Sequence, residues 1–260
     1  MRLPVRIPAT VLLAAVLLGL GGCGRRVDAR HAAKFQEALD AFADAEEPDD
    51  FLHAAALYQE IIDGGVASGA VFYNQGNAFM RAGKPGRAIA AYRRAQRYMP
   101  LDPRLKANLQ SALGRNAGEA ARRPLIRWLL FWQDRISYPA KFHLAAIAAL
   151  ITFAAACTGL FRRHRRLFGR LTLSGIAVTL VLGFSAGYDA YRFQPDRYGV
   201  VVDPDVTARK GPDEGFQPAF TKPLTEGTEF RLLERRDQWL SIDLPGNRNA
   251  WIEERAAVVY

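Results

Sequence analysis

The side chains that most often carry enzyme chemistry are scattered along this chain. Its four histidines, His31, His53, His143 and His164, stand far apart at no metal-binding or catalytic spacing. There is no Cys-x-x-Cys or His-Glu-x-x-His pattern, and residues 83–86 lack the Gly-Lys-Ser/Thr ending of a phosphate-binding loop. We therefore expect a non-enzymatic protein without a metal or cofactor, in which the side chains act by binding.

The two cysteines lie in apolar surroundings and predict no disulfide framework. Cys157 stands inside a long uncharged run, and Cys23 follows Leu20-Gly21-Gly22. Residues 1–23 have the three parts of a secretory signal, which are a basic start, an apolar centre and a small-residue exit. The setting of Cys23 resembles a bacterial lipobox, in which that cysteine is lipidated. A plain cleaved signal or an uncleaved anchor is the alternative.

Two further uncharged runs predict a pair of transmembrane helices, at residues 142–161 and 171–188. Each is about the 20 residues that a helix needs to cross roughly 30 Å of hydrocarbon. The intervening residues 162–170 are rich in arginine, and short basic loops stay in the cytoplasm. A signal with its basic end inside gives the same topology. We therefore expect the bacterial inner membrane, with the soluble regions on both sides of the helix pair in the periplasm.

The formal net charge of +9 at pH 7 does not require a nucleic-acid partner, because much of the excess lies beside the predicted membrane helices. Residues 119–141 form an amphipathic connector that is rich in aromatic side chains: Trp128, Phe131, Trp132 and Tyr138. Tryptophan and tyrosine concentrate where the membrane meets water. We expect this connector to lie on the outer leaflet.

The region 28–118 repeats itself at a period of 34 residues. Ala54, Tyr58 and Ile61 precede Ala88, Tyr92 and Ala95 by that distance. The period is typical of tetratricopeptide repeats, which are helix–turn–helix units. We predict an all-α repeat domain of two copies, capped by a helix that starts at Pro103. Such units bury their apolar faces only by stacking, so we expect this short array to lean on a partner or on the membrane.

The first helix of the second copy carries the candidate binding residues. Tyr73, Asn77 and Arg81 recur every four positions and share one helical face, with Asn74 nearby. In such repeats this face lines a concave groove, where asparagine can bond a peptide backbone and arginine can meet a carboxylate. Ordinary polar surface, with an asparagine used in helix packing, is the alternative.

The region 198–260 changes to short β-rich runs between turn residues, which predicts a small barrel or sandwich. The expected strands are residues 198–202, 206–209, 230–234, 239–244, 249–253 and 257–260. Arg209-Lys210-Gly211-Pro212, Gly227-Thr228 and Ala250-Trp251-Ile252 resemble the turns and the late strand of bacterial SH3 domains, although Ala250 replaces the usual glycine. This resemblance implies a non-catalytic barrel that binds cell-wall peptides or proteins. Trp239 and Trp251 would form either an exposed aromatic groove or core, and we expect at least one in the core.

The order of these segments, with the stretch Tyr73-Asn74-Gln75-Gly76-Asn77-Ala78 after Ser68, is similar to the BatE proteins of bacterial aerotolerance operons. The similarity extends over nearly the full chain. It implies a scaffold in a stress-related envelope complex. The implied partners are membrane-anchored von Willebrand A-domain proteins, a BatD-like protein and a MoxR-type ATPase on the cytoplasmic side. The alternative function is a cell-envelope module that docks on peptidoglycan peptides through the SH3-like domain.

Overall fold

A computed structural model describes residues 29–114, 135–161, 165–192 and 197–260. The signal segment with Cys23, residues 115–134 of the repeat end and connector, and residues 162–164 of the basic loop lie outside these described residues. The described residues fall into two compact units. One contains two long apolar helices, and the other contains an N-terminal helical region together with a C-terminal β-sheet.

The N-terminal helical region consists of five helices: α1 (Ala29–Ala43), α2 (Pro48–Asp63), α3 (Gly69–Arg81), α4 (Pro85–Gln96) and α5 (Pro103–Leu113). Proline occupies the first turn of α2, α4 and α5, where no backbone donor is needed. Ser68 Oγ accepts from the Val71 amide at the start of α3, and Asp102 Oδ1 accepts from the Arg104 and Leu105 amides at the start of α5. The sequence therefore contains its own helix start signals.

Consecutive helices pack against each other as pairs from α2 to α5. Gly76 on α3 faces the Tyr92 ring on α4, and a Cβ on that glycine would lie 2.4 Å from Tyr92 Cε1. Ala88, Tyr92 and Ala95 are completely buried. The prediction of an N-terminal region of paired helices is confirmed.

The unit of long apolar helices contains α6 (Tyr138–Phe161) and α7 (Arg165–Arg192), which are long and apolar enough to cross a membrane. Both extend beyond the predicted runs, and residues 165–170, which we expected in the loop, are helical. The helices meet where glycine leaves room, since a Cβ on Gly175 would lie 2.3 Å from Thr152 Oγ1. At one end of the pair, Lys141 Nζ donates to Asp189 Oδ2 at 2.5 Å, and both side chains are buried.

The C-terminal region forms one antiparallel sheet of five strands in the order β4-β3-β2-β1-β5. The strands are β1 (Tyr198–Val201), β2 (Glu229–Arg236), β3 (Trp239–Leu244), β4 (Arg248–Glu253) and β5 (Ala257–Val259). Inward residues alternate along β3, where Leu240, Ile242 and Leu244 are buried. The prediction of a small β domain is confirmed.

The expected strand at residues 206–209 is wrong. Val206 makes a single bridge to Leu224, and Arg209 makes single bridges to Pro218 and Trp251. Residues 203–228 contain four prolines, which cannot donate to a strand ladder. This segment therefore crosses the sheet as an irregular connection held by isolated bridges.

The helical region packs on the sheet and shares one hydrophobic cluster with it. Val200, Val202 and Tyr260 join Ile89 and Tyr92 among the buried residues of this cluster. We expected the short helical array to lean on another molecule or on the membrane. In the structure the support comes instead from the C-terminal region of the same chain.

Candidate partner-binding groove

A cavity of about 260 Å³ opens on the helical region. Its lining comes from four helices: Phe42, Asn77, Met80, Arg81, Tyr92, Asn108 and Ser111. We call this cavity, with these seven residues, the groove. Two of the four candidates from the sequence, Asn77 and Arg81, line it.

A hydrogen-bonded network fixes the amide groups at the base of the groove. Tyr92 Oη donates to Asn77 Oδ1 at 2.9 Å, and Asn108 Nδ2 donates to the same oxygen at 2.8 Å. Asn108 Nδ2 also lies 3.2 Å from the Tyr73 hydroxyl oxygen, to which it donates. Burial raises the pKa of the Tyr92 phenol well above its ordinary value, so the hydroxyl remains a proton donor even in moderately alkaline solution. The two asparagines are thus oriented before any ligand arrives.

This network leaves a donor on Asn77 and an acceptor on Asn108 unused among the described residues. The bonds to Asn77 all end on its Oδ1, so its Nδ2 group can still donate. The bonds from Asn108 all start at its Nδ2, so its Oδ1 can still accept. A residue in an extended peptide offers one carbonyl and one amide N–H, which is the complementary set.

Arg81 supplies the charge of the groove. Its guanidinium carbon lies 4.6 Å from the centre of the Phe51 ring, a cation–π distance that holds the exposed side chain in place. A guanidinium that is stacked in this way can still pair with a carboxylate through its N–H edges. Met80 and Phe42 add apolar walls.

The other two candidates lie outside the lining of the groove. Tyr73 reaches it indirectly, through the bond from Asn108 to its hydroxyl. Asn74 lies beside the Tyr58 phenol of α2, whose buried hydroxyl has no hydrogen-bond partner among the described residues. Asn74 therefore belongs to the contact between α2 and α3, and the helix-packing alternative applies to it.

Sequence reasoning missed Asn108, Ser111 and the hydroxyl role of Tyr92. We used Tyr92 only as a position of the 34-residue period, and we expected α5 only to cap the array. Asn108 and Ser111 are separated by three positions on α5, as residues on one helical face are, and neither belongs to its buried row of leucines. This polar face of α5 could have indicated from the sequence that Asn108 and Ser111 line a site.

Comparisons of the chain with protein-family models, with curated proteins and with solved structures found no match. The geometry of the groove is the basis for assigning its chemistry. Its polar groups are amides, hydroxyls and one guanidinium, which bind by hydrogen bonds and charge.

Trp239 and Trp251 lie outside the hydrophobic core of the sheet, so the expectation that at least one is core is wrong. The alternation of β3 places Trp239 and Ser241 on the face opposite to Leu240 and Ile242, and Ser241 is itself buried there. Trp251 pairs with Ser241 on the neighbouring strand, and the Arg236 guanidinium carbon lies 5.6 Å from its ring centre. Both tryptophans are half-buried and neither belongs to the hydrophobic core of the sheet.

One sequence pattern that is typical of hydrolases lies inside a helix of this structure. Gly183-Phe184-Ser185-Ala186-Gly187 reads Gly-x-Ser-x-Gly, which in hydrolases places the serine on a tight turn between a strand and a helix. Here the five residues lie inside the continuous helix α7. This serine therefore lacks the backbone setting of a hydrolase nucleophile.

Proposed function

We propose that this protein is a non-enzymatic, membrane-anchored scaffold whose groove binds an extended segment of a partner protein. The observation that carries this proposal is the pre-oriented pair Asn77 and Asn108. It presents an unused donor and an unused acceptor beside the Arg81 guanidinium. Backbone groups of a bound segment would complete the pair, and an acidic side chain or terminal carboxylate would meet Arg81.

The architecture supports a tetratricopeptide assignment for the helical region and an SH3-like assignment for the sheet. Close helix approach at Gly76, the period of 34 residues and the cap helix are typical of the former. The similarity to BatE proteins then suggests the partners. These are von Willebrand A-domain membrane proteins, a BatD-like protein and a MoxR-type ATPase complex.

We place α6 and α7 in the bacterial inner membrane, with both folded regions in the periplasm. Large apolar side chains cover the exposed surfaces of both helices, as a lipid environment requires. An alkaline phosphatase fusion after Asp205 should be active, and one after His164 should be inactive. The reverse pattern contradicts this topology.

Site-specific photo-crosslinking in living cells tests the groove. A benzophenone amino acid at Ser111, which lines the groove, should give a discrete crosslinked adduct with another protein. The matched position is Gln110, the adjacent exposed residue of α5, which is not part of the lining. Equal adduct yields at positions 110 and 111, or none at either, would contradict partner binding in the groove.

The face of the sheet that carries Trp239 and Trp251 supports a second candidate function, in which the SH3-like region docks on peptidoglycan peptides. Trp239 and Trp251 flank Ser241 there and expose aromatic surface. Sedimentation of the protein with purified cell wall tests this function. Loss of sedimentation in Trp251→Ala, with retention in the Asn77→Ala variant, would favour it.

A further inference from the structure

The β-sheet region supplies part of the N-terminal cap of helix α4. The residue before this helix, Lys84, gives it no side-chain cap. The Gly86 amide in the first turn instead donates to Glu226 Oε1 at 2.9 Å, across 140 positions of sequence. A carboxylate at a helix N-terminus satisfies a free amide and complements the helix dipole.

The backbone of α4 also approaches the sheet too closely for a side chain. A Cβ on Gly86 would lie 2.5 Å from the Val201 carbonyl oxygen. A Cβ on Gly227 would likewise lie only 3.2 Å from Ile89 Cδ1, which is further along α4. Helix and sheet therefore meet in direct packing, without an intervening layer.

The second half of α4 is held by a charged cluster. Arg93 Nε and one terminal nitrogen donate to the two carboxylate oxygens of Glu229, both at 2.7 Å. Tyr260 Oη donates to Glu229 Oε1 at 2.8 Å, and Arg94 donates to the Val259 carbonyl at 3.0 Å. Two parallel bonds between guanidinium and carboxylate fix geometry as well as charge. We call Arg93, Glu229 and Tyr260 the α4 clasp.

The clasp keeps its charges although both side chains are partly buried. Burial acts to raise the pKa of the Glu229 carboxyl, but the Arg93 guanidinium outweighs it and holds that pKa below its ordinary value. Burial acts to lower the pKa of the Arg93 guanidinium, but Glu229 raises that pKa above its ordinary value. Removing one partner of such a pair leaves the other charge uncompensated, which is more damaging than losing an exposed pair.

Tyr92 precedes Arg93 on α4, and its hydroxyl donates a hydrogen bond to Asn77 in the groove. We propose that the α4 clasp positions the groove, so that the orientation of Asn77 depends on the sheet. Arg93, Glu229 and Tyr260 act as positioning residues, because they fix the helix from which Tyr92 orients Asn77. The inference concerns the groove geometry, and it stands whether or not a partner segment binds there.

Hydrogen–deuterium exchange of the full-length protein in detergent micelles tests this inference without a ligand. Glu229→Gln keeps the side-chain shape and removes the charge. It should speed amide exchange in α3 and α4 by on the order of tenfold, although the substitution lies in the sheet. The matched control is Arg231→Gln on the same strand, which breaks the exposed pair with Asp243. It should leave α3 and α4 at their wild-type rates.

A charge exchange and a milder variant complete the test. The double variant Arg93→Glu/Glu229→Arg should bring the exchange rates of α3 and α4 back toward wild type, whereas Glu229→Arg alone should not. If Glu229→Gln does not fold, Tyr260→Phe removes one hydrogen bond of the clasp and should accelerate the same two helices to a smaller extent. Faster exchange confined to the sheet, with α3 and α4 unchanged, would overturn the inference.

Discussion

At the scale of single residues, the neighbours Tyr92 and Arg93 connect α4 to two different places, the groove and the sheet. Successive helix positions point in different directions at about 3.6 residues per turn, so adjacent side chains can serve different surfaces. Tyr92 orients Asn77 in the groove, while Arg93 pairs with Glu229 in the sheet. A small displacement of α4 should therefore change both the groove and the contact with the sheet.

Gly76→Ala tests the close approach of α3 and α4. An alanine in place of a helical glycine normally stabilises by about 1 kcal/mol. Here the added methyl group would meet the Tyr92 ring, so we expect a net loss of about 1–3 kcal/mol from overpacking. Denaturant unfolding of the full chain measures this loss. Gly169→Ala, which adds a methyl group in open space on α7, is the control. Unchanged or increased stability of Gly76→Ala would refute the contact.

Three buried phenols predict a loss of stability at alkaline pH. Burial raises the pKa of Tyr58 to about 12, and it raises the pKa values of Tyr92 and Tyr260 as well. Phenols in an unfolded chain ionise near pH 10, at about their ordinary pKa. The stabilising contribution of each phenol is therefore complete below about pH 10 and is lost as the pH rises from there toward the folded-state pKa.

The absorbance of ionised tyrosine during an alkaline titration measures this effect. Exposed tyrosines should ionise first, and these three should follow together with unfolding. Tyr58→Phe removes one of the three groups and should reduce the slope of stability against pH above pH 10. An identical slope in Tyr58→Phe and the wild type would contradict the assignment.

At the scale of elements, local patterns predicted most of what the structure contains. Repeated small and aromatic residues indicated the helix pairs, uncharged runs indicated α6 and α7, and turn residues separated the strands. The candidate site was predictable only in part, because Asn77 and Arg81 share a local period on α3 but Asn108 comes from another helix. The clasp left no local signal, since Arg93 and Glu229 are 136 positions apart.

The buried pair Lys141 and Asp189 should hold α6 and α7 together at one end. Lys141→Met removes the lysine from the buried pair with Asp189, at a cost of about 3–5 kcal/mol. Lys141→Met/Asp189→Leu removes both charges and should regain most of that loss. Thermal unfolding in detergent measures both variants, with Arg170→Met, an exposed position on α7, as the control. A stability of Lys141→Met equal to that of the control would argue against a structural role.

At the scale of the whole molecule, the groove, the clasp and the sheet belong to one compact unit, and α6 and α7 belong to another. In the proposed scaffold, the first unit would bind the partner and the second would anchor the protein in the membrane. The short helical array obtains from the sheet the packing that additional repeats would otherwise provide. The sheet thus has a structural role in addition to any ligand of its own.

Quantitative co-purification from gently solubilised membranes tests the central claim most directly. The doubly substituted Asn77→Ala/Arg81→Ala protein should remain folded and should lose its protein partner by on the order of tenfold or more, because it lacks both the backbone-pairing amide and the charge. Arg87→Ala is the matched control, since Arg87 also lies over an aromatic ring, that of Phe79, but is not part of the groove lining. It should retain the partner. If the folded double variant keeps its full set of partners, the groove is ordinary surface and the proposed function is wrong.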